Sequence, residues 1–157
     1  MSRRDLPGRG ILPRLIVMIV LPIVLASACA DFDAPEDPTF GLPDEPIAMP
    51  SYSADIAPML DRRCATGGCH SAAAHQASLT LTPEQARAQT VNVPSVLHVG
   101  MDRIEPGDPD NSWLVRMIEA DPDRRDGHPR MPLASRPLTE NQILNIRRWI
   151  EQGAQQN

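Results

Sequence analysis

Cys64-Ala-Thr-Gly-Gly-Cys69-His70 places two thiols and an imidazole within seven residues. Two thiols followed at once by a histidine is the arrangement that fastens a c-type haem: the sulfurs reach the two vinyl groups of one porphyrin edge, and the imidazole turns onto the iron as proximal ligand. The usual signal has two residues between the cysteines and this chain has four. The two extra residues can loop outward without moving either sulfur. Gly67 and Gly68 are expected to permit that loop, because glycine reaches positive φ without a side-chain penalty and lets the backbone approach a flat ligand closely. The chemistry expected of such a site is transfer of a single electron, with no catalytic residue assigned.

A haem iron with a proximal histidine takes a second axial ligand, and a methionine thioether raises the reduction potential, as suits an electron carrier. Met131, followed by Pro132, lies on a proline-stiffened loop far downstream of His70 and is the expected distal ligand. His98, Met101 and His128 are its rivals. Met59 and Met117 fall on expected helix faces and read as core filler. His75 follows His70 too closely to reach the opposite haem face and reads as a solvent-facing loop residue.

Two other chemistries use the same residues. Cys64, Cys69, His70 and either His75 or His128 could form a Cys2His2 zinc set, although the spacing is not that of a usual finger. Cys64 and Cys69 could also close a short disulfide in an exported protein, leaving His70 an ordinary surface residue.

The amino terminus bears on that choice. Arg3, Arg4, Arg9 and Arg14 precede the apolar run Leu15 to Leu25, which ends in Ala26-Ser27-Ala28-Cys29. This reads as a signal peptide over residues 1–28: the run falls short of the roughly 20 residues that span a bilayer, and Pro22 interrupts it. The small residues before Cys29 resemble the lipobox of bacterial lipoproteins, which implies lipidation of Cys29 and anchoring in the bacterial periplasm. Ala30 in place of an aspartate favours the outer membrane. Setting Cys29 aside leaves Cys64 and Cys69 as a pair in an oxidising compartment, where they are expected to be joined to haem or to each other.

The elements that must position the site follow from periodicity and capping signals. Residues 29–50 carry six acids, no base and five prolines, and are expected to form a disordered tether. Residues 51–157 form one small domain. Tyr52, Ile56, Met59 and Leu60 at helical spacing predict a helix that runs into the cysteine loop. Thr82-Pro83-Glu84-Gln85 predicts a capping box that opens a second helix ending near Ala88. Ser112 is expected to cap a third, with Leu114, Val115 and Ile118 on its apolar face. Thr139 and Gln142 predict a capping box for a fourth, whose stripe is Ile143, Ile146, Trp149 and Ile150 and whose stop is Gly153. No stretch alternates as a strand, so the fold class expected is all-α, with long loops such as 120–137 available to wrap a ligand.

All fifteen basic residues of the chain are arginine. The domain carries thirteen acids against eleven arginines, so it has no field to gather nucleic acid. There is no serine triad and no phosphate-cradling glycine loop. The acids and arginine of the 106–116 block read as a loop that caps a helix.

Residues 53–154 resemble the cytochrome c-like domains of exported proteins from myxobacteria and planctomycetes. The resemblance rests on Asp55-Ile56-Ala57-Pro58-Met59-Leu60, Gly68-Cys69-His70, Glu105-Pro106-Gly107-Asp108-Pro109 with Ser112-Trp113-Leu114-Val115-Arg116, Met131-Pro132, Leu138-Thr139, Arg148-Trp149-Ile150 and Gly153-Ala154. It implies a small cytochrome c-like helical domain wrapped around one covalent haem c, with Cys64 and Cys69 bound to the porphyrin, His70 proximal and Met131 distal. It also implies a redox protein as donor and another as acceptor.

Overall fold

The computed structural model describes residues 39–157. The expected signal peptide, Cys29 and the first part of the expected tether lie outside the described residues. The described chain is helical: α1 spans Ala57–Cys64, α2 Ala86–Thr90, α3 Trp113–Ile118 and α4 Glu140–Glu151. Among the described residues there is no strand, only isolated bridges such as Val91 with Ile104. None of these helices is long and apolar enough to cross a membrane.

A π-helical turn over Tyr52–Ile56 leads into α1 and is capped by Ser51, whose hydroxyl accepts from the Ala54 amide. Pro58 stands in the first turn of α1, where its fixed φ suits a helix. Arg62 and Arg63 in its last turn suit the negative end of the helix dipole. The helix ends at the first cysteine, where the Ala65 amide donates to the Leu60 and Asp61 carbonyls.

α4 forms as its sequence dictates. Thr139 Oγ1 accepts from the Gln142 amide at 3.1 Å, and Gln142 Oε1 accepts from the Thr139 amide at 3.2 Å. Ile146, Trp149 and Ile150 enter the core with Ile56, Ile104 and Val115, all essentially without solvent exposure. Tyr52 stacks on Trp149 with ring centroids 5.5 Å apart. Gly153, at φ +93°, stops the helix in a conformation that glycine adopts freely.

Three expectations are corrected. α2 starts at Ala86 without a side-chain cap: the Thr82 carbonyl, not its hydroxyl, accepts from the Gln85 and Ala86 amides, so residues 83–85 form a turn before the helix. Ser112 precedes α3 but does not cap it. Its hydroxyl donates to the Asp108 carbonyl at 2.8 Å and accepts from the Glu105 amide at 2.9 Å, which ties off the 105–112 loop.

The third correction concerns the tether. Residues 39–50 lie as a strap along α4. Asn141, Asn145, Arg148 and Gln152 donate to the carbonyls of Asp44, Glu45, Ile47 and Ala48 at 2.9 to 3.2 Å. Asn145 also accepts from the Ile47 amide at 2.8 Å. Leu42 and Pro50 are buried. A proline-rich segment that cannot pair its own backbone finds its partners on one polar face of a helix instead.

Candidate cofactor site

A cavity of about 510 Å³ opens between α1, the turn at 76–79, α3 and the 131–133 loop, and its lining is mainly apolar. Cys64, Cys69, His70 and Met131 all line it. Met131 lies 61 positions beyond His70 in the chain, and the fold brings it to the cavity that the cysteine loop also lines.

The loop between the cysteines closes on itself. The His70 amide donates to the Cys64 carbonyl at 3.1 Å and the Cys69 amide to the Thr66 carbonyl at 2.9 Å. Thr66, Gly67 and Gly68 are exposed, so the additional residues do bulge outward. The expected role of the glycines is corrected: neither Gly67 nor Gly68 is among the residues with positive φ, and a Cβ on either would meet open space. Both cysteines are free thiols, so the structure holds no Cys64–Cys69 disulfide. Burial pushes the Cys64 thiol up to about 12, against a smaller opposing pull from the adjacent Arg63 guanidinium.

His70 is oriented by backbone. Its Nδ1 lies 3.1 Å from the Gln76 carbonyl and 3.3 Å from that of Leu79. A carbonyl only accepts, so Nδ1 carries the proton and Nε2 keeps the lone pair that a metal can use.

Met131 is pinned beside the end of α3. Its amide donates to the Met117 carbonyl and Arg130 Nε to the Ile118 carbonyl, both at 2.8 Å. These bonds satisfy carbonyls that the last turn of a helix leaves open. The rivals sit elsewhere. His98 stacks on Trp113 at 5.0 Å and pairs with Asp126. His128 meets the edge of the same indole at 5.9 Å. Met101 lines a separate surface hollow with Asp102, Glu105 and Asp108. His75 is exposed and its Nδ1 contacts Thr80 Oγ1 at 2.6 Å. Among the described residues no group of three or more His, Cys, Asp or Glu side chains is placed to hold a metal ion.

Among the lining residues that sequence reasoning did not assign to the site are Arg63, Arg103, Trp113 and Met117. Met117 is buried as expected of core filler, but it also lines the cavity. Trp113 Nε1 and Arg63 Nε are buried donors with no hydrogen-bond partner. Arg63 and Arg103 are 5% and 8% exposed, and burial pulls both guanidiniums below their ordinary value. No carboxylate pairs with either among the described ion pairs; their hydrogen bonds go to backbone carbonyls. A mainly apolar lining that carries two thiols, an imidazole and a methionine fits a large flat ligand with a metal at its centre. The arginines had no signal in the sequence, since neither belongs to a motif.

No family model, curated protein or solved structure matches the chain.

Proposed function

We propose that the chain is a mono-haem c-type electron carrier with a cytochrome c-like fold, held at the bacterial envelope through a lipid on Cys29. The observation that carries this reading is the convergence of Cys64, Cys69, His70 and Met131 on one apolar cavity. Haem, when bound, supplies an iron that alternates between ferric and ferrous states.

The residues divide the remaining work. Cys64 and Cys69 would hold the porphyrin edge through their sulfurs. His70, with Nδ1 committed to the Gln76 and Leu79 carbonyls, offers Nε2. Met131 offers a thioether, whose softness favours the reduced iron and a higher potential. The apolar walls limit water at the site, so little solvent has to reorganise when the iron changes charge. Donor and acceptor are redox proteins of the periplasm. Were His70 and Met131 both to hold the iron, no position would be left on it for a substrate, which suits electron transfer.

The test is export of the full chain in a bacterium carrying a c-type maturation system. The expected product is one polypeptide that keeps peroxidase-active haem on a denaturing gel, and the double change Cys64→Ala with Cys69→Ala abolishes it. A colourless protein from a host proven to mature such spacings would favour the alternative, a haem-free binding module closed by a Cys64–Cys69 disulfide.

A further inference from the structure

The turn that orients His70 is strained. His75, Ala77 and Ser78 have φ of 48°, 53° and 52°, left-handed backbone that costs a residue with a Cβ on the order of 1 kcal/mol or more. Three such residues within four positions persist only where surrounding contacts determine them.

Arg103 supplies those contacts. Its guanidinium donates to the Ser78 carbonyl at 3.1 Å and to the Ala77 carbonyl at 3.3 Å, and its other terminal nitrogen donates to the Gln89 carbonyl at 2.8 Å. The planar fork thus ties the strained turn to the end of α2. Gln89 reinforces the tie, since its side chain accepts from the Thr80 amide at 2.7 Å. On the far side of the same turn, the Gln76 and Leu79 carbonyls receive His70 Nδ1.

We propose that Arg103 is a positioning residue for His70: by clamping the 77–78 carbonyls it holds the 76–79 turn so that His70 keeps its proton on Nδ1 and its lone pair on Nε2. This inference rests on the reading of His70 as an iron ligand, but it concerns the imidazole itself and is tested without haem.

The experiment is nitrogen-15 NMR of the haem-free full chain at about pH 8, where an ordinary imidazole is neutral, reading the tautomer of His70 from its ring nitrogens. The wild type is expected to hold the Nδ1–H form. In Arg103→Gln the population of that form falls at least threefold, while the Trp149 Nε1–H signal, bonded to the Gln155 carbonyl at 2.9 Å, stays in place. Arg103→Lys keeps the charge and the packed stem but loses the fork, and shows a smaller fall in the same direction. Ala77→Gly relieves the left-handed strain and restores the tautomer in the lysine variant. If the glutamine variant unfolds, the lysine variant and its glycine partner decide. An unchanged His70 tautomer in Arg103→Lys with an intact Trp149 signal would overturn the proposal, whether or not the wild type takes up haem. Absence of haem uptake with the expected tautomer shift would instead count against the electron-carrier reading alone.

Discussion

The His70 amide donates to the Cys64 carbonyl at 3.1 Å, and this bond closes the cysteine loop at its base. The four residues between the cysteines are accommodated outside that closure. Spacing in the sequence is therefore a poor measure of spacing in the site, because a loop closed at its base can vary at its tip.

Cys64 is predicted to be an unreactive thiol in the folded haem-free chain. With its pKa pushed up to about 12 by burial, the thiolate fraction at pH 8 is on the order of one part in ten thousand. Alkylation by iodoacetamide is expected to be at least about a hundredfold slower at Cys64 in the folded than in the denatured chain, and to quicken as pH rises toward 12. Peptide mapping after timed alkylation measures it. Attachment of haem would then precede closure of the fold around Cys64.

Met131 and Met117 both line the cavity, and Met131 is the proposed iron ligand. In the haem-loaded protein Met131→Ala is expected to remove the sulfur-to-iron charge-transfer band. The potential should fall on the order of 0.1 V, well within the roughly 0.8 V that axial ligands command. Met117→Ala is expected to keep the band and lose stability by about 2 kcal/mol, as for a buried side chain truncated to a cavity. The reverse pattern in the spectra would transfer the role to Met117.

Asn145 joins the strap to α4 through both ends of its amide, with the Ile47 amide and the Glu45 carbonyl as partners. Asn145→Ala leaves both unpaired and is expected to cost about 1–3 kcal/mol in urea unfolding. Hydrogen exchange at Ile47 should accelerate with it. Continued protection of that amide would mean the strap is held by Leu42 and Pro50 instead.

Asp110 has a depressed pKa, first because Arg147 donates to it at 2.8 Å and then because of the charge attraction to that guanidinium. The folded value lies below the unfolded one, so the stabilisation is present above an ordinary carboxylate pKa near 3.8 and is lost as pH falls through the lower folded value. The Asp110 side chain is 68% exposed, which limits the effect to about 0.5 kcal/mol. Asp110→Asn is expected to lower the thermal midpoint slightly at pH 7 and to match the wild type at pH 2.

The helical class, α1, α4 and its capping box were legible because each rests on local rules: apolar spacing, a hydroxyl at the cap and a glycine at the stop. Thr82 and Ser112 carry the same local signal, yet long-range partners override it. Tyr52 Oη donates to the Pro83 carbonyl beside Thr82, and Glu105 and Asp108 engage Ser112. The strap was hidden by its composition, since prolines and acids describe a chain that cannot pair with itself and say nothing of a neighbour that pairs with it. Its signal was in α4, where Asn141, Asn145, Arg148 and Gln152 recur at intervals of four, three and four residues on one face. At the site, Cys64, Cys69, His70 and Met131 could be nominated by chemistry. Arg103 could not, because its role depends on a turn 25 residues earlier in the chain.

Intact mass of the full chain, exported from a host with c-type maturation and freed of its lipid, tests the central claim most directly. The account predicts the mass of the processed polypeptide plus one haem, retained under denaturing conditions and lost in the Cys64→Ala, Cys69→Ala double variant. A mass equal to the polypeptide less two hydrogens, the signature of a Cys64–Cys69 disulfide, would contradict it.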